Sequence, residues 1–203
     1  MSLPHTRVSY TAREYLALER ESDARHEYLD GQVYAMAGES LAHSQVCVNL
    51  LGELRAQLRG RDCQALSPNM KVQSGDAGLY AYPDATVVCG EPVFSDERGD
   101  VLTNPDVIVE VLSPSTEAYD RGEKFFRYRQ LETLSDYLLV AQDRPRVEHY
   151  TRQPDGLWLL STVVDLTSEV HVASVGCKLR LSELYDRVAF PAAESVAPPL
   201  RGV

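Results

Sequence analysis

The chain has 203 residues, 44% of them hydrophobic, enough for one full core with no composition break to mark a second. Its formal net charge of -10 and pI of about 5.0 exclude a protein that coats nucleic acid through bulk electrostatics. A local basic groove or bound divalent cations would still reverse the field where phosphates sit, so a nuclease stays open.

The N-terminus, Met1 to Val8, lacks the charged-then-apolar pattern of a signal peptide, and no apolar run reaches the length of a membrane span. Cys47, Cys63, Cys89 and Cys177 contain no C-x-x-C pair and no His at zinc-finger spacing, which argues against a zinc site. They read as four reduced, small apolar residues, and the protein as cytoplasmic.

Thr11-Ala12-Arg13-Glu14 is a capping box that opens a short clasp helix ending near Glu21 to Ser22. Glu27-Tyr28-Leu29 and Gln32 to Met36 flank Asp30-Gly31, a pair that tolerates positive φ, so a tight hairpin is expected with Glu27 near its start. Ser40 to Arg59 carries Leu41, Val46, Leu50, Leu51, Leu54 and Leu58 at helical spacing and stops at Gly60, which makes it the main core helix. Strands are expected around Cys63 to Leu66 and Met70 to Val72, after which the Gly75-to-Gly78 loop leads into an apolar run, Ala85 to Cys89, opened by Asp84. Gly90 to Pro105 shows no period and reads as a loop, a candidate mobile flap beside the site.

Val107 to Leu112 reads as a buried strand interrupted by Glu110. An ionised carboxylate buried without a partner costs several kcal/mol, so Glu110 calls for a cation, a donor or a metal beside it. After Ser113-Pro114-Ser115-Thr116 a helix is expected from Tyr119 to Leu131, with Asp120, Lys124 and Tyr128 stacked on one face. Tyr137 to Ala141, Val147 to Thr151, Leu157 to Val164 and Glu169 to Val172 are expected strands that extend the sheet. Residues 1–190 are expected to form a single domain, and 191–203, with Pro198-Pro199, a flexible tail.

Taken together, Arg25-His26-Glu27-Tyr28-Leu29-Asp30-Gly31, His43, Tyr82-Pro83-Asp84, the stretch Pro105 to Thr116, Asp120 to Lys124, and Asp136 to Val140 resemble the Uma-two-type family of candidate restriction endonucleases within the PD-(D/E)XK nuclease superfamily. The resemblance implies an α/β, restriction-endonuclease-like fold: a mixed β-sheet flanked by helices, with additional C-terminal strands. It implies a metal-dependent endonuclease that hydrolyses DNA phosphodiester bonds, with Asp84, Glu110 and the backbone carbonyl of Val111 holding Mg2+, for which Mn2+ substitutes. The octahedral, oxygen-only preference of Mg2+ suits such a donor set.

The superfamily's lysine would stand two residues after Glu110, where this chain has Leu112. The resemblance therefore moves the basic role to Lys124, which would orient the attacking water, while Glu27 would support the site from the start of the fold. His43, Asp120 and Tyr128 are secondary candidates, and a homodimer is expected by analogy. Plainer readings stand beside these: Asp84 as a turn cap, Glu110 and Lys124 as a structural ion pair, His43 as a helix-surface residue, and Tyr128 as core. A non-catalytic binding or assembly module and an RNA-directed nuclease are the competing functions.

Overall fold

The computed structural model describes residues 9–191. The stretches 1–8 and 192–203, and with them nearly all of the expected tail, lie outside the described residues. Helix α1 (Ala12–Glu19) starts at Thr11, whose side chain accepts from the Glu14 N–H while Glu14 reaches back to the Thr11 N–H. Strands β1 (His26–Leu29) and β2 (Gln32–Ala35) pair antiparallel around Asp30 and Gly31, both at positive φ. Helix α2 (Leu41–Leu58) is capped by the Ser40 hydroxyl and buries Val46, Leu50 and Leu54 completely. Each such side chain contributes roughly 1.5–3 kcal/mol on leaving water.

β3 (Cys63–Leu66), β4 (Lys71–Gln73), β5 (Leu79–Ala81), β6 (Ala85–Cys89), β7 (Val101–Leu102) and β8 (Val107–Leu112) follow. The next helical run is α3 (Glu117–Tyr119), a π-helical turn (Asp120–Lys124) and α4 (Phe125–Tyr128). Then come β9 (Asp136–Ala141), β10 (Val147–Arg152), β11 (Trp158–Val163), β12 (Glu169–Val172), β13 (Cys177–Arg180) and α5 (Leu181–Leu184).

These form a five-stranded sheet in the order β2-β1-β5-β4-β7, a six-stranded sheet in the order β11-β10-β9-β8-β6-β3, and a separate β12-β13 hairpin. β8 and β9 run parallel while the other pairs of the six-stranded sheet are antiparallel, so that sheet is mixed. One of its faces packs on α2, β13 and α5 through Val87, Val107, Val109, Val111, Leu138 and Val140. The other packs on α4 and the five-stranded sheet through Val88, Ile108, Leu112, Tyr137 and Leu139. Tyr15 of α1 stacks on Tyr28 with ring centroids 5.2 Å apart and donates to the His26 carbonyl, which fastens the clasp helix to β1.

Four expectations are corrected. The Gly90-to-Pro105 stretch is not a free flap: Val101 and Leu102 are fully buried and pair with β4, and Arg20, just after α1, binds Asp96 and Asp100 at 2.8 and 2.6 Å. The helix expected from Tyr119 to Leu131 begins at Glu117, ends at Tyr128 and contains the π turn, a feature that side-chain periodicity does not report. β12 pairs with β13 instead of extending the main sheet. Cys63 and Cys89, opposite each other on β3 and β6, form a disulfide, so only Cys47 and Cys177 are thiols. Cross-strand register brings those two sulfurs together, and cysteine spacing along the chain does not encode it.

Candidate functional site

β8 is buried along its whole length, and alternation decides where Glu110 points. Val107, Val109 and Val111 face α2, so Glu110 shares the opposite face with Ile108 and Leu112, toward α4 and the second sheet. It is 3% exposed. Lys124, at the end of the π turn, is also buried and lies 3.2 Å from Glu110 Oε1, 3.0 Å from Glu27 Oε1 and 3.3 Å from Asp120 Oδ1. Glu27 comes from β1 of the five-stranded sheet, so the lysine sits where the two sheets meet.

Three carboxylates thus share one ammonium. Burial pushes the Glu110 carboxyl well above its ordinary range; Lys124 opposes this, while Asp120, Asp84 and Glu27 add to it. Burial works against the charge on Lys124, but Glu110, Glu27 and Asp120 outweigh it and hold the ammonium well above the usual lysine value. Asp120 Oδ1 is buried and makes no hydrogen bond. The Tyr128 hydroxyl donates to Glu110 Oε1 at 3.4 Å, and Tyr137 donates to the Asp120 carbonyl at 2.9 Å. The Tyr119 ring lies 5.6 Å from Lys124 Nζ, and its hydroxyl is buried without a partner.

Asp84 stands one residue before β6, at the strand's open end. The register pairs Ala85 with Val109, so the next step places Asp84 across from Glu110. Its Oδ2 accepts the Val111 N–H at 2.6 Å and lies 3.4 Å from His43 Nε2 of α2. Burial opposes protonation of His43, but Asp84 and Glu39 prevail and raise its pKa. On the other ring nitrogen, His43 Nδ1 is 3.0 Å from Glu39 Oε2 and 3.5 Å from Cys47 Sγ.

The fold therefore brings Glu27, Glu110, Asp120, Lys124 and Tyr128 into one cluster, with Asp84 at its edge and His43 behind Asp84 on the α2 side. Among the described residues, Tyr119, Glu39 and Cys47 also belong to this neighbourhood, though none was a site candidate in the sequence, where Cys47 reads as a small apolar residue. The recurrence of Glu39, His43 and Cys47 every four residues was a visible signal; nothing in the sequence marks Tyr119. The donor set is chemically suited to a hard divalent cation. Its carboxyl groups offer only oxygen donors, and three of them crowd around the single ammonium of Lys124.

Comparison with known proteins identifies a family and a fold. A family model named Uma2, described as "Putative restriction endonuclease", matches residues 12–182. Two Synechocystis proteins, both described as uncharacterized, are similar: one is 37% identical over 189 residues, covering 93% of this chain and 97% of the relative. The other is 34% identical over 160 residues, covering 79% and 90%. In three dimensions the chain resembles a crystal structure from Anabaena variabilis described as "a putative nuclease belonging to DUF820", with a TM-score of 0.72 over 87% of this chain and 97% of that one. At 19% identity that likeness establishes the fold alone: mixed sheets flanked by helices.

Proposed function

Since the chain belongs to the Uma2 family, we propose that it is a metal-dependent endonuclease that hydrolyses DNA phosphodiester bonds. The observation that carries the reading is the buried excess of carboxylates, Glu27, Glu110 and Asp120 around Lys124 with Asp84 beside them. Asp84, Glu110 and the Val111 carbonyl would hold Mg2+, with Mn2+ as a substitute. A cation held there lowers the pKa of a bound water and offsets charge on the scissile phosphate.

The remaining work falls to the chain's own groups. Lys124, kept charged by its carboxylates, donates to the attacking water and to the non-bridging phosphate oxygens as their charge grows. Glu27 and Asp120 fix the direction of that ammonium, and Glu27 would also hold a water or a second cation. Tyr128 restrains the Glu110 carboxylate, and His43 restrains Asp84. Two copies would place one site on each DNA strand, and the edge strand β11, with Leu159 and Leu160 exposed, is the surface through which they would pair.

One observation favours a second reading, a non-catalytic module. Lys124 is already held by three carboxylates, as a structural ion cluster would be, and position 112 carries Leu. Nicking of supercoiled DNA with Mn2+, run beside Mn2+ calorimetry, separates the two. Asp84→Asn and Glu110→Gln are each expected to abolish nicking and to weaken Mn2+ binding with circular dichroism unchanged. Nicking that persists in both variants would remove the assignment, and the same assay on RNA tests the alternative substrate.

A further inference from the structure

A second set of donors lies on the far side of Asp84. His43 and Cys47 stand four apart on one face of α2, and Glu39, just before the Ser40 cap, reaches His43. Their ligating atoms all lie within 4.8 Å of one another, with His43 Nδ1 3.0 Å from Glu39 Oε2 and 3.5 Å from Cys47 Sγ. Ligand bonds of about 2.0–2.3 Å in a tetrahedral centre place donor atoms roughly 3.3–3.8 Å apart, so the observed spacing needs little adjustment. Among the described residues no other three His, Cys, Asp or Glu donors converge as closely.

The surroundings are those of a built site. Cys47 is buried and forms the inner wall, His43 is half-buried, and the Glu39 side chain is 55% exposed, which leaves an entry from solvent. His43 Nε2 faces Asp84 Oδ2 at 3.4 Å, the arrangement in which a carboxylate orients a metal-bound imidazole through its other nitrogen. The spacing that argued against a zinc site was that of zinc fingers; a Glu just before a helix cap with His and Cys on its first two turns is a different pattern. A thiolate and an imidazole select a borderline ion, whereas the all-oxygen cluster around Glu110 selects a hard one.

We propose that Glu39, His43 through Nδ1, and Cys47 bind a zinc-class divalent ion, with three protein ligands and a fourth position left to water. Binding releases the Cys47 thiol proton and any proton on His43 Nδ1 to solvent, and no electron is transferred. Asp84 then stands between two centres of unlike chemistry. The site shares Asp84 with the nuclease reading but not Glu110 or Lys124, so the two readings can fail separately.

Co2+ titration of the full-length, metal-free protein tests it by optical absorption. One equivalent is expected to give a thiolate-to-cobalt charge-transfer band together with intense tetrahedral ligand-field bands. Cys47→Ser should lose the charge-transfer band, while Cys177→Ser should keep it. Glu39→Gln, at an exposed position, should weaken binding at least about tenfold, and Asp84→Asn by about 10- to 100-fold. Glu110→Gln should leave the spectrum unchanged, so loss of nicking in that variant with the band intact separates failure of one reading from failure of the other. No charge-transfer band in wild type, or one unaltered in Cys47→Ser, overturns the proposal. If Cys47→Ser does not fold, unaltered affinity in Glu39→Gln overturns it instead.

Discussion

Lys124 concentrates the chemistry of the site in one atom. Its Nζ is within 3.0–3.3 Å of Glu27, Glu110 and Asp120, and all four groups are largely withdrawn from water. Removing the cation leaves the carboxylates facing one another, and breaking a buried pair from one side costs about 3–5 kcal/mol. Lys124→Met should therefore lower metal-free stability by about that amount in urea denaturation, with Mn2+ restoring part of it. In single-turnover cleavage the same variant should lose ~10²- to 10³-fold in rate, the usual effect of one positioned donor, with a smaller change in Mn2+ affinity. Unchanged cleavage beside lost stability would make Lys124 a structural ion-pair residue. Glu110 stood out in the sequence because a Glu inside an apolar strand is visible in one dimension, whereas the roles of Lys124 and Glu27 came from the family resemblance. The partnerless Tyr119 hydroxyl was not visible, since burial depends on what packs above it.

At the scale of elements, the π turn aims Asp120 and Lys124 inward, and its own Arg121 ties it to β10. Arg121 Nε and Nη2 bind Glu148 of β10 at 2.9 and 3.0 Å, and the same guanidinium contacts Glu117. The Arg121 hydrogen bond leads the effects that lower the Glu148 pKa, burial opposes it, and the charges of Arg121 and Arg146 assist. A depressed carboxyl stabilises the fold above its unfolded value, near 4.5, and that stability is lost as pH falls through the folded value. Glu148→Gln should cost about 2 kcal/mol at neutral pH, the scale of a hydrogen bond to a charged group. The difference from wild type should shrink as pH drops below 4.5, measured by urea unfolding across pH. A difference constant with pH would contradict the ion-pair account. Long, periodic elements such as α2 and β8 are legible in sequence. β5 and β7, of three and two residues, are not, because so short a run has no period and exists only through its neighbours.

At the scale of the whole molecule, the six-stranded sheet ends on β11, whose sequence WLLSTV carries none of the charges or prolines that usually protect an edge. Leu159 and Leu160 of β11, and Leu157 just before it, are 59%, 47% and 66% exposed. If two copies join through this edge, sedimentation equilibrium should show a dimer for wild type and a monomer for a Leu159→Lys, Leu160→Lys double variant. A monomeric wild type would sink the pairing while leaving the catalytic proposal untouched, since every site residue named above comes from one chain.

Capping boxes, positive-φ turn pairs and the alternation around Glu110 are local, and local rules suffice for them because each involves residues within a turn or two of one another. The helix starts at Thr11 and Ser40, the Asp30-Gly31 hairpin and the interrupted strand at Glu110 all follow from such rules, and the motif resemblance adds the family. Three things needed the folded chain. Glu27 reaches Lys124 only because two sheets pack face to face. Cys63 meets Cys89 only because β3 and β6 pair in one register. Asp84 stands between His43 and Val111 only because β6 ends beside both α2 and β8. Contacts between residues far apart in sequence depend on how apolar faces stack, and the order of residues along one strand or helix carries no record of which partner lies above it.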